Sequence, residues 1–298
     1  MGQYDLSLGV LLVGMFFNTY LFGIVSFQFI RYYVIGFKDP WWIRSSVAFL
    51  LVVDIFHSCA IVYMAWGYFV ANFTNTAIVG VALWPYTFTP IGTALAAVVT
   101  HMFLSYRIYR LNGLRWMFGV FIVLAAASLA TGVASGTKAW LIKDLSKLSQ
   151  LNILVEFWLI IQMVVDTGIA GVMAYVLWKS KTGFRNTDNV IHKLIRGAVQ
   201  TGIFATIFAA GDLISFVTNP ETNIYGMFAI PLGRIYTNTL MHTLNLREDL
   251  KEQLTDTIEL NSSRNNRSTG IQIKVQGHVT TRFDAVNSEP ESIKRDWA

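Results

Sequence analysis

The sequence predicts an all-α polytopic membrane protein: a seven-transmembrane helix bundle with its N-terminus outside and a cytosolic C-terminal tail. Three observations carry this reading. Of the 298 residues, 54% are hydrophobic and only 14% charged, against about 25% charged in soluble domains. The charges are also segregated, with 24 charged side chains in residues 1–246 and 17 in residues 247–298. That contrast separates a lipid-compatible domain, 1–246, from a water-compatible tail, 247–298. Finally, seven segments supply the roughly 20 predominantly apolar residues needed to cross ~30 Å of hydrocarbon. They are 6–30, 45–70, 84–106, 116–137, 155–178, 197–217 and 226–246. A soluble helical bundle would show a charged face on each helix, and these segments do not. Six spans is the nearest competing count.

Taken in order, the first span has no charge, no basic leader and no small-residue cleavage site, so it reads as retained. The second carries Asp54 and His57, spaced i,i+3 on one face and able to hydrogen-bond. The third begins around Pro85 and Pro90, which distort its first turns and open a vestibule. The fourth is uncharged. The fifth holds Glu156 at its interfacial start and Asp166 near its centre. The sixth and seventh hold Asp212 and Arg234 at similar depths, so these two are expected to pair. Pro231 is expected to kink the seventh span just before Arg234. Small residues at 168–171 and 205–211 favour close helix approach. An ionisable group inside a span serves a pathway, a ligand or a structural pair. The candidate set is therefore Asp54, His57, Asp166, Asp212 and Arg234, read either as structural clamps or as a ligand or ion site.

Orientation follows from Lys and Arg in the short loops. Loops 31–44, 107–115 and 179–196 carry eleven, while the alternate side carries three, all in 138–154. The N-terminus is thus expected outside and the 52-residue tail in the cytosol. Trp41, Trp42, Trp116 and Trp178 fall at inner span ends, and Trp66, Trp84 and Trp158 near outer ones, as interfacial belts do. Asn72-Phe73-Thr74 is a candidate glycosylation sequon on the outer side. Two further sequons, at Asn261 and Asn266, fall in the tail and are expected to stay bare.

Chemistry excludes several seven-helix classes. All ten lysines lie outside the spans, which removes a retinal Schiff base. The one cysteine, Cys59, cannot form the outer disulfide usual in rhodopsin-like receptors, and the seventh span has no Asn-Pro-x-x-Tyr. Zinc hydrolysis is a poor fit. His101 and His242 lie ~8–9 Å from one border and His57 ~20 Å, too far to close one shell. No metal and no cofactor is expected. The pI near 9.3 is not a nucleic-acid footprint, because the basic residues are interleaved with apolar runs.

In the tail, Leu246, Leu250, Leu254 and Ile258 recur every four residues, which predicts a short amphipathic helix over 247–260. Asn261–Gly270 is Ser/Asn/Arg-rich and is expected to be disordered. Ile271, Ile273 and Val275 alternate with polar residues, in a segment expected to be extended and able to add as a strand to a partner.

Several residue groups resemble a large family of uncharacterised seven-helix membrane proteins of basidiomycete fungi, defined by a domain of unknown function. They are Gly14, Asn18, Gly23 and Gln28; Asp54-x-x-His57; Phe103 to Arg110; Leu194-Ile195-Arg196 with Thr201-Gly202; and Tyr236 to Leu240 running to Leu244-Asn245-Leu246-Arg247. The resemblance spans about residues 5–250 and is most specific in the last element. It departs at His101, where that family has glutamine. It implies fold, membrane location and fungal origin, and it brings no activity.

The functional expectation is a non-enzymatic, receptor-like protein of the plasma membrane or secretory pathway. It would sense a small apolar or amphipathic ligand and engage cytosolic partners through its basic inner loops and tail. The competing expectation is a proton-coupled transporter using Asp54, Asp166 and Asp212, with an intramembrane hydrolase behind it. No internal repeat is visible, which counts against a transporter. The orientation is testable directly: a tag fused after Ala298 should resist external protease in intact cells, and cleavage there would reverse the topology.

Overall fold

The computed structural model describes residues 4–143, 151–179, 185–219 and 222–268. Seven long helices follow one another: α1 Val10–Ile35, α2 Trp41–Trp66, α3 Trp84–Asn112, α4 Arg115–Ile142, α5 Asn152–Lys179, α6 Arg185–Thr218 and α7 Ile224–Ser268. Each expected span coincides with one of them. Five segments are long and apolar enough to cross a membrane: Asp5–Ile35, Trp41–Ala71, Trp84–Asn112, Arg115–Ile142 and Asn152–Val176. The described part of α6 adds a shorter apolar stretch, Gly202–Thr218.

The seventh helix, expected to carry Arg234 within its span, is enclosed along its centre. Every residue from Ile230 to Thr237 is buried, so the neighbours of α7 are other helices and not lipid. A helix enclosed by protein need not be apolar, provided its polar groups find partners. The outer helices show the opposite pattern. Phe16 and Phe27 on α1, Val52 and Val62 on α2, Val123 on α4 and Ile153 on α5 are between 63% and 82% exposed. So much exposed apolar side chain suits hydrocarbon and not water. Trp41, Trp66, Trp116 and Trp178 are exposed as belt residues should be, whereas Trp158 is buried.

Close approach depends on missing side chains. A Cβ on Gly14 would stand 2.9 Å from Met227 Cα, so only glycine lets α1 reach the α7 backbone there. This contact lies at the carbonyl four residues before Pro231, which has no N–H to return. A Cβ on Gly136 would meet Ile91 Cγ1 at 2.5 Å and Thr87 O at 2.8 Å, which sets the α3–α4 spacing. Gly202 does the same for α5 and α6 against Ala170 Cβ, at 2.7 Å.

The chain divides into two units, residues 1–254 and 255–298. The bundle lies in the first. Of the second, residues 255–268 are helical as the end of α7. This differs from the expected boundary at 246/247 and from the expected disorder of 261–268. The physical reason is the absence of a stop signal: after Gly233 the next glycine or proline is Gly270. The segment expected to be extended, 271–275, lies outside the described residues.

One end of the bundle is closed by an ion pair that sequence reading did not single out. Arg247, on α7, donates two hydrogen bonds to Asp39 in the α1–α2 loop, Nη1 to Oδ1 at 2.7 Å and Nη2 to Oδ2 at 2.8 Å. Tyr32 Oη donates to the same carboxylate at 2.9 Å, and the guanidinium stacks 4.7 Å from the Phe37 ring centre. Beside it, Asn245 Nδ2 donates to Gln28 O and Gln28 Nε2 to Asn238 Oδ1, tying α7 to α1. A packed apolar layer containing Val25, Phe29, Val47, Leu50, Leu240 and Leu244 fills this half. Burial pushes the Asp39 carboxyl up, but the hydrogen bonds and charge of Arg247, with Tyr32, outweigh it and hold it below the ordinary carboxylate range. A depressed folded value adds stability above the unfolded pKa near 4, and that stability is lost as pH falls through the folded one. Wild type should therefore melt above Asp39→Asn at pH 6 in detergent, and the two curves should converge below about pH 4. A gap unchanged at low pH would show that the carboxylate charge contributes nothing.

Candidate functional site

Polar side chains along α7 meet partners on the surrounding helices at successive depths. From Tyr225 to Arg247 the helix rises ~33 Å, and the polar contacts fall in sequence along it. Nearest the Tyr225 end is a cavity, followed by Arg234, Tyr236, Asn238 and finally the Arg247 clamp.

Arg234 pairs with Asp54 of α2, not with Asp212. Its Nη1 donates to Asp54 Oδ1, and its Nη2 donates to Asp54 O at 2.7 Å and to Ser58 Oγ at 2.9 Å. Thr237 Oγ1 donates to the same carboxylate at 3.3 Å, and the Phe22 ring lies 5.3 Å from the guanidinium carbon. Both charged side chains are 1% exposed. The expected Asp212–Arg234 pair fails because equal depth on consecutive helices fixes height but not facing. Arg234 projects from α7 towards α2, while Asp212 faces a cavity. The expected contact between Asp54 and His57 fails for the same reason, since Arg234 takes Asp54. His57 Nε2 instead lies 3.3 Å from Thr89 Oγ1 on α3.

Asp166 and His101 form a second cluster. His101 Nε2 lies 2.7 Å from Asp166 Oδ1, and Tyr236 Oη donates to Asp166 Oδ2 at 2.5 Å. Gln162 Nε2 donates to Tyr236 Oη at 2.7 Å, and Thr100 Oγ1 to Tyr236 O at 3.1 Å. The cluster joins α3, α5 and α7 beside a small void of about 30 Å³. Among the described residues no group of three His, Cys, Asp or Glu comes together to hold a metal ion. The chemistry available is hydrogen bonding and proton sharing, with His101 Nδ1 and Gln162 Oε1 left without partners.

Asp212 is different. It is 3% exposed, and among the described residues it has no hydrogen bond or ion pair. It lines a cavity of about 70 Å³ bounded by α3, α4, α5, α6 and α7 at the Tyr225 end. Tyr86, Pro90, Trp158, Phe216 and Tyr225 share the wall. Pro90 lies inside α3 and borders the cavity, which agrees with the expected vestibule. Trp158, expected in the outer belt, is 3% exposed and its Nε1 has no partner. Asp212 thus shares a cavity wall with Tyr86 and Trp158, whose Oη and Nε1 also lack partners, and Trp158 Nε1 lies against Gly132 of α4. Buried polar groups are ordinarily satisfied, which makes this wall a candidate binding site.

The cavity lies at the end of the bundle expected to be outer. There Tyr68 Oη donates to Val81 O at 2.7 Å and accepts from Leu83 N, pinning loop 72–83. Asn72, the sequon residue, follows the π-helical turn Gly67–Ala71, and its Nδ2 donates to Gly67 O at 2.9 Å. Cys59 is exposed. Sequence reading missed Tyr236, Gln162, Tyr86 and Tyr225. The available signal was an uncharged polar residue in the interior of a span, weaker than a charge because a single hydroxyl or amide is readily satisfied.

Residues 162–249 match a family of unknown function, DUF6534. The match runs from the second half of α5 through α6 to Asp249 on α7, and so includes Asp166, Asp212, Arg234, Tyr236 and Arg247. No curated protein and no solved structure matches the chain.

Breaking a buried ion pair by removing one partner costs ~3–5 kcal/mol, while replacing both by apolar groups costs far less. Asp54→Leu and Arg234→Met should each destabilise the detergent-solubilised protein by about that much, and the double variant should recover most of the loss. Asp212→Ala combined with Arg234→Met should be additive to within ~0.5 kcal/mol. Additivity for Asp54 with Arg234 would refute the pairing.

Proposed function

We propose that the chain crosses the membrane seven times and is a receptor-like protein that binds a small ligand in the cavity at the Tyr225 end. The observation that carries the reading is the asymmetry of the bundle. At one end Asp212 lines a cavity with no protein partner among the described residues, beside Tyr86 and Trp158, whose Oη and Nε1 also lack one. At the other, an apolar layer and a bidentate Arg247–Asp39 pair close the helices together. The Lys and Arg of the loops at the clamp end support a cytosolic clamp and an outer cavity. Ligand in the cavity touches the ends of five helices, so it has purchase on α7, and the Arg247 clamp lies on that same helix. Cytosolic partners would meet the basic inner loops and the tail.

One observation favours proton-coupled transport: three acidic residues, Asp212, Asp54 and Asp166, lie at successive depths. Against it, Asp54 and Asp166 are each engaged by protein partners, which supports a structural role for both. Cysteines placed in the cavity wall separate the readings. In a Cys59→Ser background, Ser135→Cys and Ala229→Cys should react with a membrane-impermeant thiol reagent from the outer face only. Reaction from both faces, or from alternate faces on addition of a solute, would favour the transporter.

A further inference from the structure

Resting on the reading of this cavity as a ligand site, we propose that it takes a small organic cation, an alkylammonium of a few heavy atoms, held by Asp212 and an aromatic wall. The charge argument comes first. A carboxylate removed from water is stable only with a counter-charge or several donors. Among the described residues the cavity lining contains no Lys, Arg or His, and the buried Arg234 on α7 is committed to Asp54. Without a counter-charge a buried carboxyl gives up its charge by holding a proton, so a cationic ligand is what would keep Asp212 ionised. A metal cation fits badly, because Asp212 is the one carboxylate among the described residues of the wall and hard cations take several oxygen ligands. An anion would meet the Asp212 carboxyl with no basic side chain among the described residues of the wall.

The aromatic wall points to the same class. Phe216 and Tyr225 meet edge-to-face, with ring centres 5.1 Å apart at 90°, and Tyr86 meets Tyr225 at 6.4 Å and 78°. Rings set near right angles to one another surround a corner with π-faces, which attract ammonium groups more than neutral ones. Hydroxyl oxygens are available as well. Thr89 and Ser135 donate their protons to Pro85 O and Thr131 O, at 3.1 and 2.8 Å, which leaves lone pairs to accept from N⁺–H. Size sets the limit. The free space of about 70 Å³ holds on the order of five water-sized groups, so the cation is small and not drug-sized.

The test uses full-length protein in detergent at pH 7, with three isobutyl probes at millimolar concentration: isobutylammonium, its isostere isobutanol, and the somewhat larger anion isovalerate. Isobutylammonium should raise the melting temperature saturably, while isobutanol and isovalerate should not. Isobutylammonium should also slow thiol labelling of Ala229→Cys. Asp212→Asn should abolish both effects. Phe216→Leu, which leaves the carboxylate in place, should weaken binding about fivefold. If isobutanol stabilises equally and still does so in Asp212→Asn, the cation inference falls while the cavity remains a ligand site. If no probe shifts the melting temperature or protects the cysteine, the cation inference falls. If the cavity cysteines also fail to label from outside, the ligand-site reading falls with it. An ammonium effect that survives Asp212→Asn overturns the inference as an unspecific amine effect.

Discussion

An arginine on a helix buried from every side must find its counter-charge on another helix. Arg234 does so on α2, where Asp54, its backbone carbonyl and Ser58 together accept the guanidinium. Removing two charges from water costs several kcal/mol per ion, and only good geometry and added hydrogen bonds offset it. That requirement fixes the rotation of α7 and its height against α2. With α7 set, Tyr236 falls beside Asp166 and His101, Asn238 beside Gln28, and Arg247 beside Asp39. The remaining polar contacts of α7 are consistent with one placement of the helix.

The same constraint explains why α7 is the least apolar of the seven. A helix facing lipid satisfies its surroundings with hydrocarbon, as the exposed Phe and Val of α1, α2 and α4 do. A helix facing only protein gains specificity from polar pairs, because an apolar interface in a membrane lacks the water-driven force that sorts partners in solution. Close backbone contact supplies the rest, through Gly14 against Met227 and Gly202 against Ala170.

Unpartnered polar atoms occur at several depths of the bundle, among them those of Asn18, His101 Nδ1, Gln162 Oε1 and Asn245 Oδ1. What sets the Tyr225 end apart is a buried carboxyl group: Arg234 and Arg247 are paired with Asp54 and Asp39. At the Tyr225 end Asp212 and Trp158 Nε1 are not. A protein that pairs its buried charges elsewhere and leaves one carboxylate facing a void carries a standing energetic cost there. Such costs concentrate at sites of binding.

The sequence by itself determined the helices, because a 20-residue apolar run has few alternatives in a bilayer and each run fell on one helix. It also singled out Asp54, His57, Asp166, Asp212 and Arg234, and all five are buried polar positions in the structure. It could not say which of them meet. Residue spacing gives the height of a side chain and its face on its own helix, but pairing depends on how six other helices are arranged around that face. Asp212 and Arg234 share a height and point apart; His57 shares a face with Asp54 and lost it to a residue 180 positions away. Tertiary structure alone decided that α7 is enclosed, that Asp39 and Arg247 close one end, and that Trp158 faces a cavity, because each depends on contacts between segments remote in the chain.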